Sequence, residues 1–175
     1  MAISATIYKA ELNIVDTNRH YYQQHDLTVA MHPSENEFRL MTRIIVFALN
    51  AADNLAFTKG LSTDDEPELW VKSLSDEIEL WIDFGQVDEK RIRKACGKAT
   101  AVKIYTYNRR KSEIWWQQHR NKLERHQNLN VYQLHAEGLE QLVDRKMQLQ
   151  CHIQDNDIFV DNGTSNLTVN LQQLR

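Results

Sequence analysis

Glu68-Leu69-Trp70-Val71-Lys72-Ser73-Leu74-Ser75-Asp76-Glu77-Ile78-Glu79-Leu80-Trp81-Ile82-Asp83-Phe84 holds two alternating runs on either side of Ser75-Asp76, the pattern of two half-buried strands joined by a turn. If Ser75-Asp76 is a two-residue turn, Leu74 faces Glu77 and each outward step keeps the pairing. Val71 then meets Leu80 and Leu69 meets Ile82 on an apolar face. On the other face Lys72 meets Glu79, Trp70 meets Trp81, and Glu68 meets Asp83. Directly opposed residues have Cβ atoms roughly 4.5–5.5 Å apart. Two carboxylates that close repel unless something positive sits between them, and Mg²⁺ or Mn²⁺ suits such an oxygen pair. The other reading is a longer turn, a slipped register, and two solvated carboxylates at a strand end. The alternation alone leaves both open.

Working outward toward the N-terminus, residues 55–61 read as a short strand closing at Lys59-Gly60. Before it, Ser34-Glu35-Asn36-Glu37 has the form of a capping box, and Phe38, Met41, Ile44, Ile45 and Ala48 follow at helical spacing. A long buried helix ending near Asp53 is expected, with Leu40 and Phe47 widening its apolar stripe. Residues 6–15 alternate, with Tyr8, Ala10, Leu12 and Ile14 on one face, and Leu27, Val29 and Met31 alternate again. These predict two strands joined by a polar, His/Tyr-rich connection.

Toward the C-terminus, a helix is expected over about residues 88–99, with Ile92, Ala95, Cys96 and Ala99 inward. A strand over 101–107, a Trp-bearing helix over 113–123, a strand over 130–134 and a helix over 137–146 follow. From Met147 the chain reads as a hairpin turning at Asp155-Asn156, with a last strand over 167–171. No repeat, low-complexity tract or Pro/Gly-rich linker breaks the chain, so one domain over residues 1–175 is expected. The fold class is α/β (α+β mixed): a central mixed sheet flanked by helices, with added N- and C-terminal strands.

The net charge of −3 argues against a uniformly basic nucleic-acid binder, but the charge is unevenly spread. Residues 63–88 carry nine acids and one base, whereas residues 89–125 carry twelve bases and three acids. The longest apolar run, residues 44–49, is far too short to span a bilayer. The N-terminus lacks a basic lead followed by an apolar stretch, so a cytoplasmic protein is expected. Cys96 and Cys151 have no metal-ligand spacing; reduced core thiols are the expectation and a disulfide the alternative. No GxGxxG, Walker A or GxSxG motif is present, so no nucleotide cofactor is expected.

Several stretches in order carry a resemblance to a known family. They are His32-Pro33-Ser34-Glu35, Phe57-Thr58-Lys59-Gly60-Leu61, Asp65-Glu66-Pro67-Glu68-Leu69-Trp70 and Leu80-Trp81-Ile82-Asp83-Phe84-Gly85. Residues 88–96, Ile114-Trp115-Trp116-Gln117-Gln118 and Ile153-Gln154-Asp155 continue the series, with residues 167–171. Through them the chain resembles the YaeQ family, a small bacterial family assigned to the PD-(D/E)XK nuclease superfamily. The resemblance implies a restriction-endonuclease-like core of helix, three-strand meander, helix and strand, the order already read from the residues. It also implies that Pro67-Glu68 fills the first acidic slot, with Glu for Asp, and that Asp83 fills the second. The lysine slot two residues on is Gly85, a departure from the pattern. Superfamily members that move this lysine onto the following helix make Lys94 or Lys90 its replacement. Helical phase opposes this, since Lys94 lies nearly opposite Ile92 while Arg91 and Arg93 flank the buried face. Gln86 could orient a water, and Glu35 matches an accessory acid at the first helix.

The implied chemistry is metal-assisted phosphodiester hydrolysis, with Glu68 and Asp83 holding Mg²⁺ or Mn²⁺. The alternative is a non-catalytic protein that keeps the core and binds nucleic acid or a protein partner. Arg109, Arg110 and Lys111, ahead of Trp115-Trp116, are candidate phosphate contacts, with at least one tryptophan expected in the core. His20, His25, His119 and His126 are not spaced as ligands.

Overall fold

A computed structural model describes residues 4–59 and 63–175. In chain order, β1 (Thr6–Asp16), β2 (Tyr21–Met31), α1 (Glu37–Asn50) and β3 (Leu55–Phe57) come first. Then follow β4 (Leu69–Lys72), β5 (Ile78–Phe84), α2 (Glu89–Lys98), β6 (Ala99–Thr106) and α3 (Arg109–Leu123). The chain finishes with β7 (Leu129–His135), a single 3₁₀ turn (Leu139–Leu142), β8 (Lys146–Gln154), β9 (Asp157–Asp161) and β10 (Asn166–Gln173). Parallel and antiparallel neighbours both occur, so the fold is mixed α+β. No helix among the described residues is long and apolar enough to cross a membrane.

The contacts divide the chain into two compact units. The first comprises the residues up to Ala51 together with Ala136–Leu171. Its strands run in the order β2-β1-β8-β9-β10, with β1 antiparallel to β2 and parallel to β8. Alternation does the work here: β8 buries Met147, Leu149, Cys151 and Ile153 and exposes the residues between. Helix α1 packs against β1, β8 and the 3₁₀ turn, burying Leu40, Met41, Ile44, Ile45, Val46 and Phe47. Each such side chain contributes about 1.5–3 kcal/mol on burial.

The second unit is Ala52–His135 with Gln172–Arg175. Its strands run β7-β6-β5-β4-β3; β3, β4 and β5 form an antiparallel meander, and β5, β6 and β7 are parallel. Helices α2 and α3 connect the parallel strands. Trp81, Val87, Ile92, Ala95, Val102, Ile104, Trp115, Leu123, Leu129 and Val131 form one buried cluster.

Several local expectations need correction. The cap of α1 is Asn36, whose side chain accepts from the Arg39 N–H at 2.9 Å; Ser34 instead bonds His32. The His/Tyr-rich stretch is strand, not connection: β2 begins at Tyr21 and the turn is only residues 17–20, with His20 at φ 53°. Residues 55–61 give a strand only at Leu55–Phe57, and of the expected close at Lys59-Gly60, Gly60 lies outside the described residues, as does Leu61. The helix expected over 137–146 shrinks to four residues. Gly138 at φ 71° sets a left-handed backbone at its start, and the two-residue alternation of β8 claims the chain from Lys146. Helix α3 begins four residues earlier than expected, because Asn108 caps it through the Lys111 N–H at 3.3 Å.

Candidate acidic site

The hairpin that decided the fold is built differently from the two-residue turn, yet reaches the same pairing. Ser73 pairs with Glu77 through an N–H to carbonyl bond of 2.9 Å, which leaves a three-residue turn, Leu74-Ser75-Asp76. Asp76 sits at φ 66°, the left-handed conformation such turns demand, and Leu74 is fully exposed. A bulge then absorbs the extra residue: Lys72 pairs with Ile78, Val71 pairs with Leu80, and Glu79 is left over. Beyond it Trp70 meets Trp81 and Leu69 meets Ile82, as the alternation predicts. Lys72 does not meet Glu79; its ammonium lies 2.9 Å from Asp76 and 4.1 Å from the centre of the Trp70 ring.

One step past Leu69 and Ile82 lie Glu68 and Asp83, 6% and 2% exposed. The Glu68 N–H donates to the Ile82 carbonyl at 3.0 Å and to Asp83 Oδ1 at 3.3 Å. The Trp81 indole N–H donates to Asp83 Oδ2 at 2.9 Å. The charge beside this carboxylate is Arg91, from the first turns of α2. Its Nε reaches Oδ2 at 2.7 Å and its Nη2 reaches Oδ1 at 2.9 Å, a bidentate fork. The same guanidinium donates to the carbonyls of Glu66 at 2.8 Å and Asp64 at 3.2 Å, and lies 5.7 Å from the Trp81 ring centre. The Asp83 hydrogen bonds hold Arg91 above its ordinary pKa against the opposing effect of burial, with the charges of Asp83, Glu68 and Asp64 adding to them.

Asp83 therefore accepts four hydrogen bonds, about the full capacity of a carboxylate. This arrangement does not fit Mg²⁺ or Mn²⁺. Both Asp83 oxygens are committed, and the described residues contain no group of three His, Cys, Asp or Glu side chains able to hold a metal ion. The remaining expected participants are dispersed. Gly85 occupies the lysine slot because the backbone there has φ +82°, with its N–H on the Tyr105 carbonyl at 2.8 Å. A lysine is strained in that conformation. Lys94 turns outward and pairs with the exposed Asp65, which it holds below the usual carboxylate pKa. Gln86 donates to the buried Ser112 hydroxyl at 3.2 Å. Glu35 belongs to the other unit and precedes the cap of α1 rather than lying in its first turn. There it is buried between Arg39 at 2.7 Å and Arg43 at 3.1 Å.

Arg109, Arg110 and Lys111 form the exposed first turn of α3, with Arg109 3.1 Å from Glu113. Trp115 is core, its indole N–H on the Val87 carbonyl at 2.9 Å, and Trp116 is half-buried. His119 Nδ1–H donates to the Trp115 carbonyl at 2.8 Å. Cys96 and Cys151 are free thiols in different units, which removes the disulfide alternative. The residue the sequence reading underweighted is Arg91. Its phase beside Ile92, on the rim of the buried face of α2, was the available signal.

Fold and site together define a mixed α+β protein with a buried acidic pair whose aspartate is locked by an arginine. A family model described as YaeQ protein matches residues 1–171, and the chain belongs to that family. It is 44% identical over 174 residues to the YaeQ protein of Escherichia coli (strain K12), covering 98% of this chain and 96% of that one. Among solved structures, YaeQ from Xanthomonas axonopodis pv. citri superposes with a TM-score of 0.95 at 40% identity, covering 98% of this chain and 99% of its own. YaeQ from Pseudomonas syringae gives 0.91 at 32% identity, covering 98% and 96%.

Proposed function

We propose that this protein keeps a PD-(D/E)XK nuclease-type core but works by binding nucleic acid rather than by cutting it. The observation that carries the reading is the saturation of Asp83 by Arg91, Trp81 and the Glu68 backbone. Arg91 supplies the positive charge that the facing carboxylates require, and Gly85 stands where the motif lysine is expected. The order α1, then β3-β4-β5, then α2 and β6 supports the nuclease-type core.

Nucleic acid as the partner is supported by where the bases lie. The unit holding the acidic pair carries fifteen Lys and Arg against thirteen Asp and Glu, although the whole chain is acidic. Three of these cations occupy the first turn of α3, which contains no acid, and among the described residues only Arg109 is paired, with Glu113 one turn on. Cations at a helix N-terminus oppose the helix dipole by about 0.3–1 kcal/mol each, so the arrangement costs stability unless an anion meets it.

The test is affinity for duplex and single-stranded DNA and for RNA, measured against salt. Binding with a steep slope that flattens by about 1.8 in Arg109→Ala/Arg110→Ala is the expected result on duplex DNA. The absence of any salt-dependent binding overturns the nucleic-acid partner. Incubation of the same substrates with Mn²⁺ should leave them intact. Degradation that is lost in Asp83→Ala would restore the cleavage reading.

A further inference from the structure

Strand β2 is an open edge. It pairs with β1 along all eleven residues and, among the described residues, has no strand on its other side. Open edges offer unpaired N–H and C=O groups, so monomeric proteins shorten, bulge or cover them, or arm them with lysine or proline. The edge strand β3 follows that practice with only three residues. Strand β2 does not. It contains no Lys, Arg or Pro, its register with β1 is unbroken from Tyr21 to Met31, and Tyr22, Gln23, Gln24, Asp26 and Thr28 are exposed.

We propose that β2 is a dimerisation edge that pairs antiparallel with β2 of a second copy of this chain, about a twofold axis at His25. The sequence of the strand selects both the partner and the register. An axis at Asp26 aligns the whole strand but sets Asp26 against itself, and opposed like charges are destabilising. An axis at His25 still aligns Tyr21 with Val29. It sets Gln24 against Asp26 twice, an amide donor facing a carboxylate acceptor, and Tyr22 against Thr28. Within one strand the Gln24 amide already donates to Asp26 at 3.2 Å, so the two side chains share a face and are chemically matched. A contact one strand wide buries less than the roughly 1,200 Å² of stable interfaces, so the dimer is weak, with Kd on the order of 10 μM.

The experiment is sedimentation velocity on the full chain from low micromolar to several hundred micromolar. The expected result is a concentration-dependent shift to dimer. Gln24→Glu, which places a carboxylate opposite Asp26, should weaken it about tenfold, whereas Gln24→Lys should tighten it. Both substitutions are at an exposed position, and far-UV circular dichroism confirms that each variant is folded. A Gln24→Cys/Asp26→Cys variant should form a disulfide-linked dimer under mild oxidation. A monomer at every concentration overturns the proposal, as does a dimer that Gln24→Glu leaves unchanged.

Discussion

Removing Arg91 tests whether its guanidinium is what stabilises the acidic pair. The Asp83 carboxylate is 3% exposed and the Arg91 side chain 26%. Breaking a buried pair by deleting one partner costs about 3–5 kcal/mol, because the surviving charge stays buried. The exposed quarter of Arg91 screens part of this, which brings Arg91→Ala to about 2–4 kcal/mol. At this chain length that corresponds to a fall in Tm of roughly 5–15 °C. Replacing both members, as in Asp83→Asn/Arg91→Met, should cost less than Arg91→Met alone. With Arg91 gone, Asp83 and Glu68 should accept a weak divalent cation. Mn²⁺ at ten times its Kd would then return about 1.4 kcal/mol. The assay is thermal unfolding of parent and variants with and without millimolar Mn²⁺. A loss below about 1 kcal/mol, or equal stabilisation of the parent by Mn²⁺, would refute the reasoning.

Other outcomes follow from the same geometry. Gly85→Lys, which restores the expected lysine, should lose roughly 1–2 kcal/mol in urea unfolding from φ +82° and gain no Mn²⁺-dependent cleavage. Trp115→Phe removes the indole bond to the Val87 carbonyl and should cost about 1 kcal/mol by the same measurement, whereas Trp115→Ala should cost about 3–5. Burial pushes the Cys96 thiol up to about 11 and Cys151 up to about 12, so both are neutral at pH 8. Thiol titration with a disulfide reagent at pH 8 should run roughly two orders of magnitude slower than for a free cysteine. Because these folded-state values lie above the unfolded ones, their contribution to stability is complete below about pH 8.5. It should be lost as pH rises toward 11–12, which denaturant midpoints across that range would register.

The sequence disclosed the acidic pair because alternation is a strong signal. Leu69, Val71, Leu80 and Ile82 have to share a face, which limits the pairing to registers two residues apart, and the one read from the turn is the one formed. The three-residue turn was invisible because Asp76 carries no mark that distinguishes φ 66° from an ordinary turn residue. Helix α1 was legible from its apolar stripe, but its cap was not, since Ser34 and Asn36 are both good capping residues two positions apart. At residues 137–146, acids and leucines imitate an amphipathic helix while the following alternation decides otherwise. Arg91 illustrates a different limit. Helical phase places it on the rim of the buried face, but only the packing of α2 in the folded unit brings it within 2.7 Å of Asp83.

The bulge at Glu79 has a bearing on how this hairpin tolerates change. It lies between the turn and the acidic pair, and the pairing from Val71–Leu80 onward does not depend on how the chain reverses direction. A residue gained or lost at the tip can be taken up there, with Glu79 joining or leaving the ladder while Trp70–Trp81 and everything beyond stay in place. Length variation among homologous hairpins should therefore collect at residues 73–79. The stretch from Leu69 to Val71, and its partner from Leu80 to Ile82, should keep constant spacing.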